Sequence, residues 1–439
     1  MKLETAKTFI LVVLIGISIL LTYSIWSYRP DYEYLYDHAY VSEVDMDIGG
    51  SEESKKTLVK PESLVFHIHD AHYRFADLDR ENTLYEEMQS WTLNDLTVSA
   101  SNGVPSDNIQ VEFIFPEDLP MELLPSLFSF NEEPALPSWS FRHMYVTFNQ
   151  DERNLELVFL SVDGREQAKA YVNDADIYRR LWAEATDHQE MTKLIQIEGA
   201  KRPIYIPEEK VQMTKWSFSA RLIDPNLLVN ALFDNPSLVT RNLLQDEADD
   251  SYYTDSQHGM RVDRHRTSME FFNPYEADFA PMDSIKLLEN SIANINEHNG
   301  WTGDYKLVSI NHTMNRVRYQ MHYNGFPVFD GGGLTTIEQE WRDNDLYQYK
   351  RPLVSINNQI NADEMMVASG QDIVYAIEND KQFHFEMEHV ENIQLGYRLS
   401  LDDSSHIVTL SPAWYVKYRD KWHEIDVDHE HLLSAKGGQ

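Results

Sequence analysis

The chain of 439 residues has no cysteine. That excludes disulfides, thiolate metal sites and cysteine nucleophiles. A eukaryotic ectodomain of this size would usually carry disulfides, so an exported protein without them fits a bacterial surface. Cations are scarce: 37 Lys and Arg stand against 72 Asp and Glu, a net charge of −35. Such a surface repels nucleic acid, whose binding depends on neutralising phosphates, as well as anionic lipid and teichoic-acid-like polymers. Strong negative charge suits an exported protein held in solution. Long apolar runs are nearly missing too. One stretch alone exceeds the roughly 18 residues of a membrane-crossing helix.

That stretch is TFILVVLIGISILLTYSIWSY, Thr8 to Tyr28, 21 residues without a charge. As a helix it spans roughly 30 Å, the thickness of a bilayer core. It is too long for a signal-peptide core and lacks a small-residue cleavage site. Tyr23, Trp26 and Tyr28 read as an interfacial aromatic belt. Lys2 and Lys7 precede the run, while Asp31, Glu33 and Asp37 follow it. The positive-inside rule then places residues 1–7 in the cytoplasm, a transmembrane helix at 8–28 and the rest of a single-pass protein outside the cell membrane. Ser18 and Thr22 are four apart, a small-xxx-small spacing, and Leu11, Ile15 and Ile25 extend their face. Gly16 adds a second point of close approach, and Leu14 completes the candidate helix–helix interface.

The remainder predicts an α+β protein: three extracytoplasmic domains of helices packed on antiparallel sheets. Residues 29–60 form a polar membrane-proximal segment, a helix or stalk and then a loop. An N-terminal α/β domain spans 61–205. In it SLVFHIH and NIQVEFIFP read as strands, LDRENTLYEEMQSW as an amphipathic helix, and SFRHMYVTF with NLELVFLSV as a hairpin across NQDER. PEDLPMELLPSLFSF begins short helices, and a longer helix is expected from about Arg165 to Ala185. KRPIYIP reads as a linker. A central α+β domain at 206–275 holds the strand QMTKWSFSARLI, the helix DPNLLVNALF capped by Asp224, and a hairpin turning at His258-Gly259. A C-terminal α+β domain at 276–439 opens with DSIKLLENSIANINEH, capped by Asp283. Strands breaking at Asn324-Gly325 and Asp330-Gly331 follow, then a second helix over NADEMMVASGQDIVYAIEN and three closing strands.

Chemistry-bearing motifs are thin. HIHDAH places His67 and His69 on one face of a strand, with Asp70 and His72 beside them, but zinc needs further convergent ligands. DMDIGG fails the EF-hand pattern, because Gly49 and Lys56 stand where ligands belong. DEADD reads as a solvated acidic loop. DGGG lacks the Lys-Ser/Thr of a phosphate loop and reads as a turn needing positive φ. No Gly-x-Ser-x-Gly, Ser-x-x-Lys or His-Glu-x-x-His occurs. The economical reading is a protein with no catalytic residues, metal or cofactor. A cell-wall hydrolase or wall-ligand-binding protein is the rival, and paired carboxylates are too plentiful here to argue it from sequence.

The single N-terminal helix running into YSIWSYRPDYEYL, the cysteine-free acidic ectodomain, HYNGFPVFDGG and LSPAWYVKYRDKW together resemble the YycH family, membrane-anchored regulators of low-GC Gram-positive bacteria. The resemblance implies a non-enzymatic protein. Its partners would be a YycI-like protein sharing the last two domains and the sensor histidine kinase WalK (YycG). That kinase and its response regulator WalR (YycF) govern cell-wall metabolism. The resemblance also implies that transmembrane helices make the kinase contact.

Overall fold

The computed structural model describes residues 46–188, 190–243, 250–274, 280–379 and 385–426, with Leu14, Ile17, Ser18 and the backbone of 33–34. Among them no helix is long and apolar enough to cross a membrane. The predicted span at 8–28 lies outside the described residues apart from Leu14, Ile17 and Ser18, which are helical and exposed.

Two sheets organise the chain. The N-terminal sheet has ten strands in the order Tyr205–Pro207, Met191–Gln196, Ala71–Phe75, Ser63–Ile68, Ile109–Pro120, Ser140–Asn149, Asn154–Ser161, Glu166–Val172, Thr92–Ala100, Ser129–Phe130. All neighbours are antiparallel except the last pair. Alternation decides its faces. In Ile109–Pro120 the side chains of Val111, Phe113 and Phe115 enter the apolar core, while Gln110 and Glu112 point the other way. Helix Ala175–Thr186 lies against the Ser63, Ile109 and Asn154 strands. Asp174 caps it by accepting from the amides of Asp176 and Ile177. The expected helix from Arg165 is therefore half strand. Glu166–Val172 buries Ala168, Ala170 and Val172 at alternate positions and pairs with Asn154–Ser161. That ladder outweighs a weak helical propensity.

Among the described residues the second sheet has fifteen strands; Asp304–Asn311 pairs with Arg316–Tyr323, Lys421–Ile425 pairs with Ile407–Tyr418, residues 33–34 pair with Thr240–Leu243, and the other twelve form two halves. One half runs from Thr240–Leu243 through Ser251–Thr254, Gly259–Val262, Ser268–Phe272, Asp345–Pro352 and Thr336–Arg342 to Arg316–Tyr323 and Phe326–Phe329. The other comprises Val390–Asp402, Ile407–Tyr418, Val211–Leu222 and Val354–Val367. A short parallel contact, Val328 with Tyr397 and Phe329 with Arg398, joins the halves. Strands from 206–275 and from 276–439 are thus hydrogen-bonded within one sheet. Val211–Leu222 leaves its sequence neighbours and sits between Ile407–Tyr418 and Val354–Val367.

The predicted helix over NADEMMVASGQDIVYAIEN is corrected in its first half. Val354–Val367 is a 14-residue strand whose Ala362 to Val367 pair with Trp216 back to Val211. Only Gly370–Glu378 is helical, started by a capping box of Ser369 and Asp372. Helix-favouring Ala, Glu and Met yield to a continuous cross-strand ladder. KRPIYIP is more than a linker, since Tyr205–Pro207 adds a strand to the N-terminal sheet. The described part of the segment before residue 60 also docks: Ser51 bridges Trp301, and the Glu53 amide donates to Asn296 Oδ1 at 3.0 Å.

Candidate functional site

A cleft of about 1210 Å³ opens between the two sheets. Its walls carry both signs of charge. Arg142 pairs with Glu117 and Asp118, at 3.2 and 2.6 Å. Asn392 Nδ2 donates to Glu62 Oε1 at 2.7 Å, tying the C-terminal sheet to the N-terminal one. Burial raises the Glu62 carboxyl above its usual range, against the pull of Lys417 and Arg142. Across the same junction Lys306 Nζ donates to Asn82 Oδ1 at 3.1 Å. Burial lowers this ammonium to about 8.

Behind one wall lies a buried polar cluster. His67 Nε2 is 2.8 Å from Glu112 Oε2, and His143 Nδ1 is 2.7 Å from Glu112 Oε1. The Tyr145 hydroxyl donates to the same Oε1 at 2.7 Å. Burial opposes the charge on Glu112, but the hydrogen bonds from His143 and His67 outweigh it and hold the carboxyl at about 2. His67 Nδ1 also lies 2.9 Å from His72 Nδ1. The Tyr205 ring packs on both imidazoles, with centroids 5.4 and 4.8 Å away.

HIHDAH therefore forms something other than a metal set. His67 and His72 face each other across a hairpin, while His69 occupies its turn at φ 56° and is exposed with Asp70. Among the described residues only exposed Glu386 and Glu388, with His389, bring three ligand atoms together. Of DEADD, Asp246 to Asp249 lie outside the described residues. Asp250 is buried and accepts from Arg261 Nε at 2.7 Å. DGGG is a turn: Asp330 accepts from the amides of Gly332 and Leu334, and Gly333 has φ +82°.

Of the candidate transmembrane interface, Leu14 and Ser18 are helical and exposed, and Leu11, Ile15, Gly16, Thr22 and Ile25 lie outside the described residues. The sequence reading missed Glu112, His143, Tyr145 and Tyr205. For the first three the signal was polar residues at alternate positions in NIQVEFIFP and SFRHMYVTF, whereas Tyr205 lies in KRPIYIP, which reads as a linker. Alternation puts those three on one face, but nothing local says that this face is covered.

Residues 4–190 match the N-terminal domain of the YycH protein, and residues 201–432 match its C-terminal domain. The chain belongs to the YycH family. Over its whole length it is 23% identical to a Bacillus subtilis (strain 168) protein described as the two-component system WalR/WalK regulatory protein YycH, covering 99% of that protein. Its fold matches the crystal structure of YycH from Bacillus subtilis with a TM-score of 0.72 at 20% identity. The match covers 87% of this chain and 99% of the other. The two matches part between 190 and 201; Met191–Gln196 at that junction pairs within the N-terminal sheet, and so does Tyr205–Pro207, which lies inside the C-terminal match.

Proposed function

We propose that this chain is a non-enzymatic, membrane-anchored regulator of a sensor histidine kinase that controls cell-wall metabolism. The observation carrying this reading is its full-length similarity to the WalR/WalK regulatory protein of Bacillus subtilis. In this reading residues 8–28 cross the membrane once, residues 1–7 face the cytoplasm and the sheets lie outside. The divisions at 205/206 and 275/276 belong to the same proposal. A YycI-like protein is the proposed companion, and the helix face of Leu11, Leu14, Ile15, Gly16, Ser18, Thr22 and Ile25 makes the kinase contact.

Helices in a membrane associate by close packing and by polar side chains, which Ser18, Thr22 and Gly16 would supply. A tenfold change in kinase output needs only about 1.4 kcal/mol of differential binding between two kinase states. The test replaces residues 8–28 with an unrelated span at equal expression. Kinase output should change, and photo-crosslinkers at Leu14, Ser18 and Thr22 should capture the kinase from one helix face. Unchanged output, with crosslinks to lipid alone, would defeat the proposal.

The cleft favours a second reading, in which the outer domains bind a wall fragment. Its size suits a drug-sized or larger ligand. Equilibrium binding of soluble muropeptides to the full chain in nanodiscs would establish it, and competition by substitution of Glu62 or Arg142 would place the ligand there.

A further inference from the structure

We propose that the His67–His72 pair is a proton-operated latch, holding the segment that links the two YycH domains and releasing it when the outside turns acidic. The geometry sets the logic. Two imidazole Nδ1 atoms 2.9 Å apart share one proton, one ring donating and the other accepting. Because His67 Nε2 donates to the Glu112 carboxylate, the shared proton comes from His72 while His67 is neutral; only when both rings are imidazolium does N–H face N–H, and the bond is then lost. His67 cannot turn away, because its Nε2 is held by Glu112, itself held by His143 and Tyr145. His72 is the mobile partner, and it is half-exposed, so protons reach it.

The charged and titratable groups around the pair are few. Glu112 comes from one neighbouring strand, His143 and Tyr145 from the next, and Tyr205 from the linking segment. The residue paired with His72 on Met191–Gln196 is Leu194, which is uncharged. Arg74, two positions along from His72, is taken up by Glu81 at 2.9 Å. Glu112, the carboxylate that faces the pair, already accepts from His67, His143 and Tyr145, and it offsets a charge on His72 only in part.

The output is Tyr205, whose ring lies against both imidazoles. Its strand is gripped from both sides. Ile206 and Tyr205 pair with Ile195 and Gln196 of the N-terminal sheet. On the other side helix Gly370–Glu378 of the second domain starts so close that a Cβ on Gly370 would stand 2.4 Å from the Pro207 carbonyl oxygen. A displaced His72 therefore moves a segment wedged between the domains, one whose Tyr205 also lines the cleft. Burial, and then the neighbouring His67, lower the His72 pKa from its usual 6.5, partly countered by Glu112. A base whose pKa is lowered in the closed form favours that form above 6.5. The preference is lost as the pH falls through the lowered value.

The inference deepens the regulator reading by naming the input, and its test uses no kinase, so each can fail without the other. The chain's lack of cysteine permits site-specific spin labels at V104C and I360C, exposed positions on the two domains. Double electron–electron resonance on the full chain in nanodiscs should give one distance population at pH 8. A second population should rise between pH 6.5 and 5. His72→Phe keeps the ring but not the proton, and should hold the pH 8 distribution at pH 5, with His72→Gln as the alternative should the first misfold. A wild-type distribution that does not move with pH, or one that moves equally in the folded variants, would overturn the proposal.

Discussion

Lys306 Nζ donates to Asn82 Oδ1 at 3.1 Å, joining strand Asp304–Asn311 to helix Leu78–Met88 across the two sheets. Among the described residues it makes no ion pair. Burial lowers it to about 8 from 10.5, so the unfolded chain holds its proton over a range where the fold gives it up. Stability from this group is fully present above 10.5 and is lost as the pH falls toward 8. Urea midpoints of the wild type should therefore rise from pH 8 to pH 10 relative to Lys306→Met. Parallel profiles would refute this.

Acid should act through histidines before carboxylates. Burial, helped by Arg351, lowers His298 to about 3, and burial lowers His322 well below 6.5. Each favours the fold above 6.5, and that stability drains away as the pH falls toward the lowered values. Glu112, held at about 2, loses its contribution only below about 4.5. Denaturant midpoints should fall from pH 6.5 downward, and His298→Gln should show a shallower fall. A loss that begins only below pH 4.5 would count against the histidines.

Glu112→Gln replaces an acceptor that serves His67, His143 and Tyr145 with an amide that can satisfy only part of them. The expected cost is about 3 kcal/mol, since buried donors lose their partner. Histidine NMR should show the His67 and His143 resonances move together. Isolated movement of one would separate the cluster.

Arg351 is a buried guanidinium without an ion pair among the described residues. It donates to the Tyr349 hydroxyl at 3.0 Å, Thr302 Oγ1 at 3.2 Å and the Pro352 carbonyl at 3.2 Å. Lysine cannot reproduce that fork. Arg351→Lys should destabilise by about 1–3 kcal/mol, read from equilibrium unfolding.

Gly325 has φ +78°, and a Cβ there would stand 2.7 Å from Leu78 Cβ on the other domain. Gly325→Ala should cost about 1–3 kcal/mol from the backbone alone, and more from the displaced Leu78. Unchanged thermal stability would place the turn away from the domain contact.

Where local physics decides, the sequence alone was enough. Asp224 and Asp283 are N-caps because their oxygens reach nearby amides. Asn324-Gly325 turns a hairpin because both residues take positive φ. NIQVEFIFP is a strand by alternation and SLVFHIH by its short apolar run, and the family was legible in the junction and the closing strands. Tertiary structure decided what depends on distant partners. Val354–Val367 is a strand because Val211–Leu222, more than 130 residues earlier, offers it a ladder. Likewise, only the fold could bring His67, His72, Glu112, His143 and Tyr205 onto one covered face. Each is an ordinary polar residue on a strand or linker until neighbouring strands fix register and the linking segment closes over them.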